Sequence, residues 1–180
     1  MIANHFNTEI YENLKEYTNN QGNIPPFIGC LIADKDGKTL LRFEIFEGAL
    51  YYFLKNNMND DFEEEFDLDL IPMFISAFER FSETINFKDL SGLNLMGTGL
   101  KMHTFFCFEK FTVTFFLNPR VQVKLISNII KDFLKVLFKD NEMIFNNFYV
   151  NCSREDLSRL EFTGNSWLNK INKYLSYLIK

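Results

Sequence analysis

The chain has 180 residues, of which 47% are hydrophobic and 24% charged, and its formal net charge at pH 7 is −5. This length predicts one globular domain whose core is large enough to fold without cross-links. The acidic balance argues against nucleic acid as a partner, because its phosphate backbone is bound by basic surfaces. No uncharged apolar run reaches the ~18–20 residues needed to span a bilayer.

The cysteines indicate a reducing compartment. Cys30, Cys107 and Cys152 are widely spaced and form no CxxC pair, which is typical of reduced thiols. The first residues, MIANHFNTEIYE, have neither the basic start nor the apolar centre of a secretory signal. We therefore expect a cytoplasmic location.

The chain begins with a pattern typical of an amphipathic helix over residues 4–18. Apolar side chains recur at helical spacing at Ile2, Phe6, Ile10, Leu14 and Tyr17. The pattern predicts an N-terminal helix and linker over residues 1–24, followed by a domain over residues 25–180.

A hairpin is predicted next. The apolar run 27–33 is typical of a central strand, and residues 34–37 form a turn in which Gly37 can take a positive φ. In the partner strand, 39–46, apolar residues alternate with Arg42 and Glu44, which share the other face. Residues 49–54 fit either an extension of that strand or a short helix, and both stay open.

An acidic connection, 56–69, leads into a helix over 70–85, because acidic residues favour a helix N-terminus. Glu79, Arg80 and Glu83 lie on its polar side. The stripe expected to be buried is Ile71, Phe74, Ile75, Phe78, Phe81 and Ile85.

A third strand is predicted over 92–96. The segment 100–119 then predicts two strands of seven to eight residues with a tight turn at Glu109-Lys110, ended by Pro119.

A helix over 121–138 follows, with a buried stripe formed by Leu125, Ile126, Ile129, Ile130, Phe133, Val136 and Leu137. Ser153 and Asp156 resemble a capping box at the start of a further helix. We expect residues 163–165 to interrupt that helix before it resumes over 166–179.

This order predicts an α+β fold. It comprises a single five-stranded antiparallel sheet in the order β-β-α-β-β-β-α-α, plus the N-terminal helix.

The hairpin IGCLIADKDGKTLLRFEIF, the helix LIPMFISAFERFSETI and the three-strand run 93–118 resemble a longin domain and, more broadly, the longin and roadblock superfamily of profilin-like sheets. The two closing helices favour the longin form and the N-terminal helix the roadblock form, so the subfamily stays open. The resemblance implies a non-catalytic partner in membrane trafficking and small-GTPase regulation, often as a dimer.

No catalytic signature stands beside this resemblance. His103 and Cys107 would lie about 13 Å apart on one strand, too far for a base and a nucleophile. Asp34-x-Asp36-Gly37 resembles the start of a calcium loop but lacks the later ligands. We expect no enzyme activity, no cofactor and no metal site.

Two surfaces are candidates for binding. The predicted partner interface is formed by Met73, Ala77, Phe81, Leu93 and Leu95, and core packing is the alternative interpretation. A basic stripe that could contact anionic lipid at a membrane surface, or an acidic partner, is formed by Lys124, Lys131, Lys135 and Lys139. A solvated helix face is the alternative there.

The leading hypothesis is a non-catalytic module that binds a small GTPase or another longin or roadblock chain, including a second copy of itself. One alternative is a small-ligand sensor or enzyme that holds its ligand between sheet and helix. Another is a structural subunit of a coat or tethering assembly.

Overall fold

The computed structural model describes residues 24–55, 67–87, 90–97 and 99–176. The predicted N-terminal helix and the acidic connection through residue 66 lie outside the described residues. The division of the chain at residues 24 and 25 therefore stays a prediction.

The described residues form five strands and six helices. The strands are β1 (Phe27–Asp34), β2 (Thr39–Glu44), β3 (Gly92–Met96), β4 (Lys101–Phe105) and β5 (Phe111–Leu117). The helices are α1 (Ala49–Lys55), α2 (Leu70–Thr84), α3 (Val123–Asp140), α4 (Glu142–Asn146), α5 (Phe148–Asn151) and α6 (Arg154–Ser176).

The strands make one antiparallel sheet in the order β2-β1-β5-β4-β3, which confirms the predicted α+β class. Strand β1 lies between β2 and β5, and this position explains its unbroken apolar sequence. The sheet is not a simple meander, because the first strand pairs with the last. Strands β2 and β3 form the two edges.

Helices cover both faces of the sheet. Phe115 of β5 directs its ring to Trp167 of α6, with ring centroids 6.1 Å apart. Trp167 in turn stacks on Phe133 of α3 at 4.1 Å, so α3 and α6 cover the same face. On the other face Gly29 of β1 lies against Leu50 of α1. Helix α2 also packs on the sheet, where it contacts β5.

Phenylalanine rings fill the interior between the sheet and α6. Phe27, Phe105 and Phe115 are fully buried, and the rings of Phe27 and Phe115 meet edge to face with centroids 5.7 Å apart. Such pairs add to the stability that area burial provides.

Residues 49–54, for which both a strand and a helix were expected, belong to helix α1, and Glu44 stabilises its start. Its carboxylate accepts the N–H of Leu50 at 2.9 Å and that of Gly48 at 3.2 Å, at the start of α1. Burial raises the pKa of Glu44, and the two N–H groups and Arg42 oppose that shift. The side chain caps a helix, which is why a glutamate is buried here.

The predicted length of β4 is wrong. The strand ends at Phe105, and residues 106–110 form a loop in place of a tight turn at Glu109-Lys110. Phe106 is buried while Cys107 is exposed, so the chain turns away from β5 once Phe105 has paired with Val113.

Helix α6 is continuous, so the predicted interruption at residues 163–165 is also wrong. Gly164 is buried where the helix crosses Phe43 of β2, and Asn165 accepts the N–H of Glu44 at 2.8 Å. The capping box is confirmed: Ser153 Oγ accepts the Asp156 N–H at 3.1 Å, and Asp156 accepts the Ser153 N–H at 3.3 Å. The short helices α4 and α5 were not predicted.

The predicted stripe of α3 is correct only in part. Ile126, Ile130 and Leu137 are buried, whereas Leu125, Ile129 and Val136 are exposed. The stripe is narrower than the apolar sequence suggests because α3 covers the sheet along one line.

Candidate partner-binding surface

Helix α2 turns the more apolar of its sides outward. Its buried residues include Ile71 and Ile75 but also two serines, Ser76 and Ser82. The outward side carries Leu70, Met73, Phe74, Ala77, Phe81 and Ile85, and all of them are exposed. At 100° per residue these positions form one arc of about 120° that contains no charged side chain.

The prediction that Phe74, Phe81 and Ile85 are buried is therefore wrong. Phe74 is 53% exposed and Phe81 is 57% exposed. Apolar residues occupy more than one side of α2. Their helical spacing alone therefore does not tell which side meets the sheet. Ser76 and Ser82 were the sequence signal for the rotation of α2 that the prediction missed, because a serine side chain on the inward side can bond to backbone.

Contacts with the β1–β2 turn fix the rotation of α2. Ser76 Oγ donates to the Lys35 carbonyl at 2.5 Å, and Lys35 Nζ pairs with Glu79 Oε1 at 2.6 Å. Arg80 pairs with Asp36 one turn further along. These contacts hold the polar side of α2 against the turn and keep its apolar arc outward.

Gly37 allows this close approach. It has a φ of +85°, which favours glycine, and a Cβ at this position would lie 2.7 Å from the Cα of Met73. Any other residue would push the helix away from the turn.

Two of the predicted interface residues come from the edge strand. Leu93 and Leu95 of β3 are half-buried, and they pair with Thr104 and Met102 of β4. Along β4 these positions alternate with His103 and Phe105, which face α3, so both leucines point to the other side of the sheet. Met73, Ala77 and Phe81 are exposed on α2.

The basic stripe lies on α3. Lys124, Lys135 and Lys139 are exposed, whereas Lys131 is half-buried with its Nζ 5.8 Å from the centre of the Phe105 ring. Lys131 therefore contacts the protein itself, and anionic binding by this stripe stays a prediction.

The surroundings of His103 are those of a packing residue. Its Nδ1 is 2.7 Å from the side-chain oxygen of Asn94, and its ring meets Phe105 edge to face at 4.3 Å. Burial, followed by the charges of Lys101 and Lys131, lowers the pKa of His103 to about 4. Cys107 lies beyond the end of β4, so the predicted placement of both residues on one strand is wrong.

The aspartates of the first turn bond to backbone. Asp34 Oδ1 accepts the N–H groups of Asp36 and Lys38, both at 2.9 Å, which makes this segment a turn stabilised by its own side chain. Across residues 24–55, 67–87, 90–97 and 99–176, no cluster of His, Cys, Asp or Glu could hold a metal ion. In the same ranges no helix is long and apolar enough to cross a membrane.

A groove of about 360 Å³ lies between the start of α3 and the end of α6. Its walls include Arg120, Leu125 and Ile129 on one side and Tyr174 and Leu175 on the other. The sensor hypothesis places a ligand between sheet and helix, and a pocket that bore His103 with a carboxylate would favour it. This groove includes neither His103 nor a carboxylate.

The chain matches no protein-family model, and no curated protein resembles it. The gliding protein MglB from Thermus thermophilus is a similar solved structure, 12% identical, with 68% of this chain and 80% of that chain covered at a TM-score of 0.40. An MglB with a tetrameric arrangement is 11% identical, with 69% and 82% covered at a TM-score of 0.42. Likenesses of this size carry no argument about what this chain does.

The five-stranded antiparallel sheet and helix α2, which connects β2 and β3 after the short helix α1, have the order that the expected longin and roadblock resemblance implies. The choice between the longin and roadblock subfamilies stays open.

Proposed function

We propose that this chain is a non-catalytic protein-interaction module that binds a protein partner through the outward arc of α2 and the edge strand β3. The observation that carries the proposal is the exposed apolar arc, which includes Met73, Phe74 and Phe81. A contiguous apolar patch on a folded domain marks an interaction site, because a protein gains stability when such a surface leaves water.

The rotation of α2 supports this proposal. A helix that only covered a sheet would turn its phenylalanines inward, whereas α2 turns Ser76 and Ser82 inward and bonds them to backbone carbonyls. The chain thus keeps its outward phenylalanines in a fixed position, and a partner would meet a surface that needs no rearrangement.

Another chain of the same fold, including a second copy, is the partner that this surface fits best. Strand β3 has one neighbour in the described sheet, so its free edge offers backbone groups to a strand of the partner. A two-fold pair would place α2 against α2 and β3 against β3. A small GTPase is the alternative partner, and the resemblance implies roles in GTPase regulation and trafficking.

Self-association can be tested by sedimentation velocity over a range of concentrations. We expect the wild type to form dimers, and we expect Phe81→Asp to shift it to monomer because a charge at the centre of the arc opposes burial. Val136→Asp is the matched control, since Val136 on α3 is also 57% exposed but lies outside the arc. Equal association by all three proteins contradicts the proposed surface.

A different protein partner is tested by affinity capture from native lysate with wild type, Met73→Asp, Leu95→Asp and Val136→Asp. We expect the first two variants to lose a partner, such as a small GTPase, that wild type and the control both retain. If Met73→Asp and Leu95→Asp retain every partner, the proposed surface is wrong.

A further inference from the structure

We propose that the β1–β2 turn, residues 34–38, couples α5 to α2, and that Tyr149 on α5 is a positioning residue for the outward arc of α2. Loss of the Tyr149 contact would then weaken the binding of a partner to that arc. This inference rests on the proposed function, because it assigns a means of control to the same surface.

The second half of α2 has little apolar anchorage of its own. The structure describes this helix throughout, and its buried apolar residues all lie at or before Ile75. Beyond that position the buried residues are Ser76 and Ser82, and Phe78 is half-buried. Phe81, at the centre of the arc, belongs to this second half. Its orientation therefore depends on polar contacts more than on apolar burial.

The β1–β2 turn supplies these polar contacts. Lys35 Nζ pairs with Glu79 Oε1 at 2.6 Å, and the Lys35 carbonyl accepts a hydrogen bond from Ser76 Oγ at 2.5 Å. Arg80 pairs with Asp36. A shift of the turn would therefore move the second half of α2 with it.

The turn is held in one shape by its own hydrogen bonds. Asp34 Oδ1 accepts the N–H groups of Asp36 and Lys38, both at 2.9 Å. The Asp34 N–H also donates to the Lys38 carbonyl, and the Gly37 N–H donates to the Asp34 carbonyl, both at 3.1 Å. Because these bonds resist deformation, the turn moves as one unit and transmits a displacement from one of its residues to the others.

Tyr149 of α5 contacts the same turn. Its hydroxyl donates to Asp34 Oδ2, and Lys38 Nζ lies 4.2 Å from the centre of its ring. One carboxylate thus joins two functions, since Oδ1 shapes the turn while Oδ2 accepts the Tyr149 hydroxyl. Partial burial, followed by the hydrogen bond to Asp34, raises the pKa of Tyr149 to about 12, so the hydroxyl keeps its proton at neutral pH.

Aromatic contacts place the α4–α5 segment beside α3. Asp34 is the register partner of Phe111 on β5, whose ring stacks on Phe138 of α3 with centroids 5.1 Å apart. The Phe145 ring of α4 meets that of Phe138 at 4.8 Å, and Tyr149 follows four positions later. The turn therefore joins a segment packed on α3 to the helix that carries the proposed partner surface.

Amide hydrogen exchange, measured at a dilution where the protein is monomeric, tests the coupling without a partner. Tyr149→Phe removes the hydroxyl and keeps the ring beside Lys38. We expect the amides of residues 77–84 to exchange at least about threefold faster than in the wild type, because the turn then holds α2 less firmly. Tyr174→Phe is the matched control, since Tyr174 is also 57% exposed but lines the groove between α3 and α6. Its rates in α2 should equal those of the wild type.

The reverse direction gives a second test, because a coupling free energy acts equally in both directions. Arg80→Gln changes only the α2 end, where it removes the ion pair with Asp36. We expect it to shift the NMR signals of the Tyr149 ring, which are identified by their loss in Tyr149→Phe. Arg120→Gln, which changes an exposed arginine outside the turn, should leave those signals in place. A purely local role of Tyr149 would not respond to Arg80→Gln.

Sedimentation velocity then measures the effect on the partner surface. We expect Tyr149→Phe to weaken self-association at least about threefold and Tyr174→Phe to leave it unchanged. Unchanged exchange in residues 77–84, ring signals that ignore Arg80→Gln, or full association by Tyr149→Phe each overturns the inference, even where Phe81→Asp abolishes association. Faster exchange in α2 of Tyr149→Phe together with a wild type that binds neither itself nor another protein supports the coupling and overturns the proposed function alone.

Discussion

Helix α6 turns Leu160, Leu168 and Ile171 toward the interior, whereas α2 turns Ser76 and Ser82 inward and leaves Phe74 and Phe81 exposed. The two helices cover the same sheet, yet they are held in different ways. Apolar burial and the bonds of Asn165 and Asn172 to the sheet hold α6. Hydrogen bonds and ion pairs to the first turn orient α2, which buries fewer apolar residues. Under the proposed function, the α6 side maintains the fold while the α2 side keeps its apolar residues for a partner.

We expect the substitution of phenylalanine by alanine to destabilise the protein strongly on the α6 side of the sheet and hardly at all on the outward side of α2. Phe115, fully buried, contacts Trp167, and Phe115→Ala should lower the free energy of unfolding by about 4 kcal/mol because it leaves a cavity. Phe81→Ala should change it by no more than about 0.5 kcal/mol, because that ring is already exposed. Urea denaturation measures both. A large loss in Phe81→Ala would show that its ring supports the fold after all.

The crossing of α6 over β2 gives the next largest effect. Alanine normally stabilises a helix relative to glycine. A Cβ at Gly164, however, would lie 2.3 Å from the Phe43 ring, which is buried and cannot move freely. We expect Gly164→Ala to lower the free energy of unfolding by about 2 kcal/mol, as overpacking does.

Thr163→Ala is the control for this change, since Thr163 is the exposed neighbour on the same helix. Its free energy of unfolding should stay close to that of the wild type. An equal or higher stability of Gly164→Ala would contradict the close approach of α6 to β2.

A smaller, pH-dependent effect is expected from His103 on the α3 and α6 side. Its pKa is lowered from 6.5 to about 4, so between these values the unfolded chain binds more protons than the folded one. The free energy of unfolding then falls as the pH falls through this range. From pH 7 to pH 5 the wild type should lose about 1 kcal/mol more than His103→Gln.

Denaturation of both proteins at the two pH values measures this difference. A loss of the same size in wild type and variant would mean that His103 titrates alike in the folded and unfolded chain.

Sequence patterns correctly predicted those elements whose structure depends mainly on residues close by in the chain. The apolar run of β1, the glycine turn at Gly37 and the capping box of Ser153 and Asp156 each depend on neighbours in sequence. Contacts distant in sequence decided the rest. Gly164 indicates a helix interruption until Phe43 is placed beside it, and Glu44 fits a strand residue until its bonds to the start of α1 are known.

The candidate surface was predictable only in part, for a related reason. Met73, Ala77 and Phe81 were predicted as a widened flank, but the outward position of Phe74 and Ile85 depends on how α2 is rotated. Lys35 and Asp36 set that rotation through Glu79 and Arg80, which lie more than forty positions later in the chain.

The bonds between Asn172 and Phe27 also affect how the chain can mature during synthesis. Phe27, the first residue of β1, finds the side-chain partner of its backbone N–H and carbonyl 145 positions later, in α6. In a ribosome-bound chain that has not yet released α6, the Phe27 backbone lacks the Asn172 side chain and the Phe27 ring lacks its contact with Trp167. The sheet can therefore reach its final form only after translation has passed this asparagine, and shortened products that lack it would expose aromatic surface to chaperones and proteases.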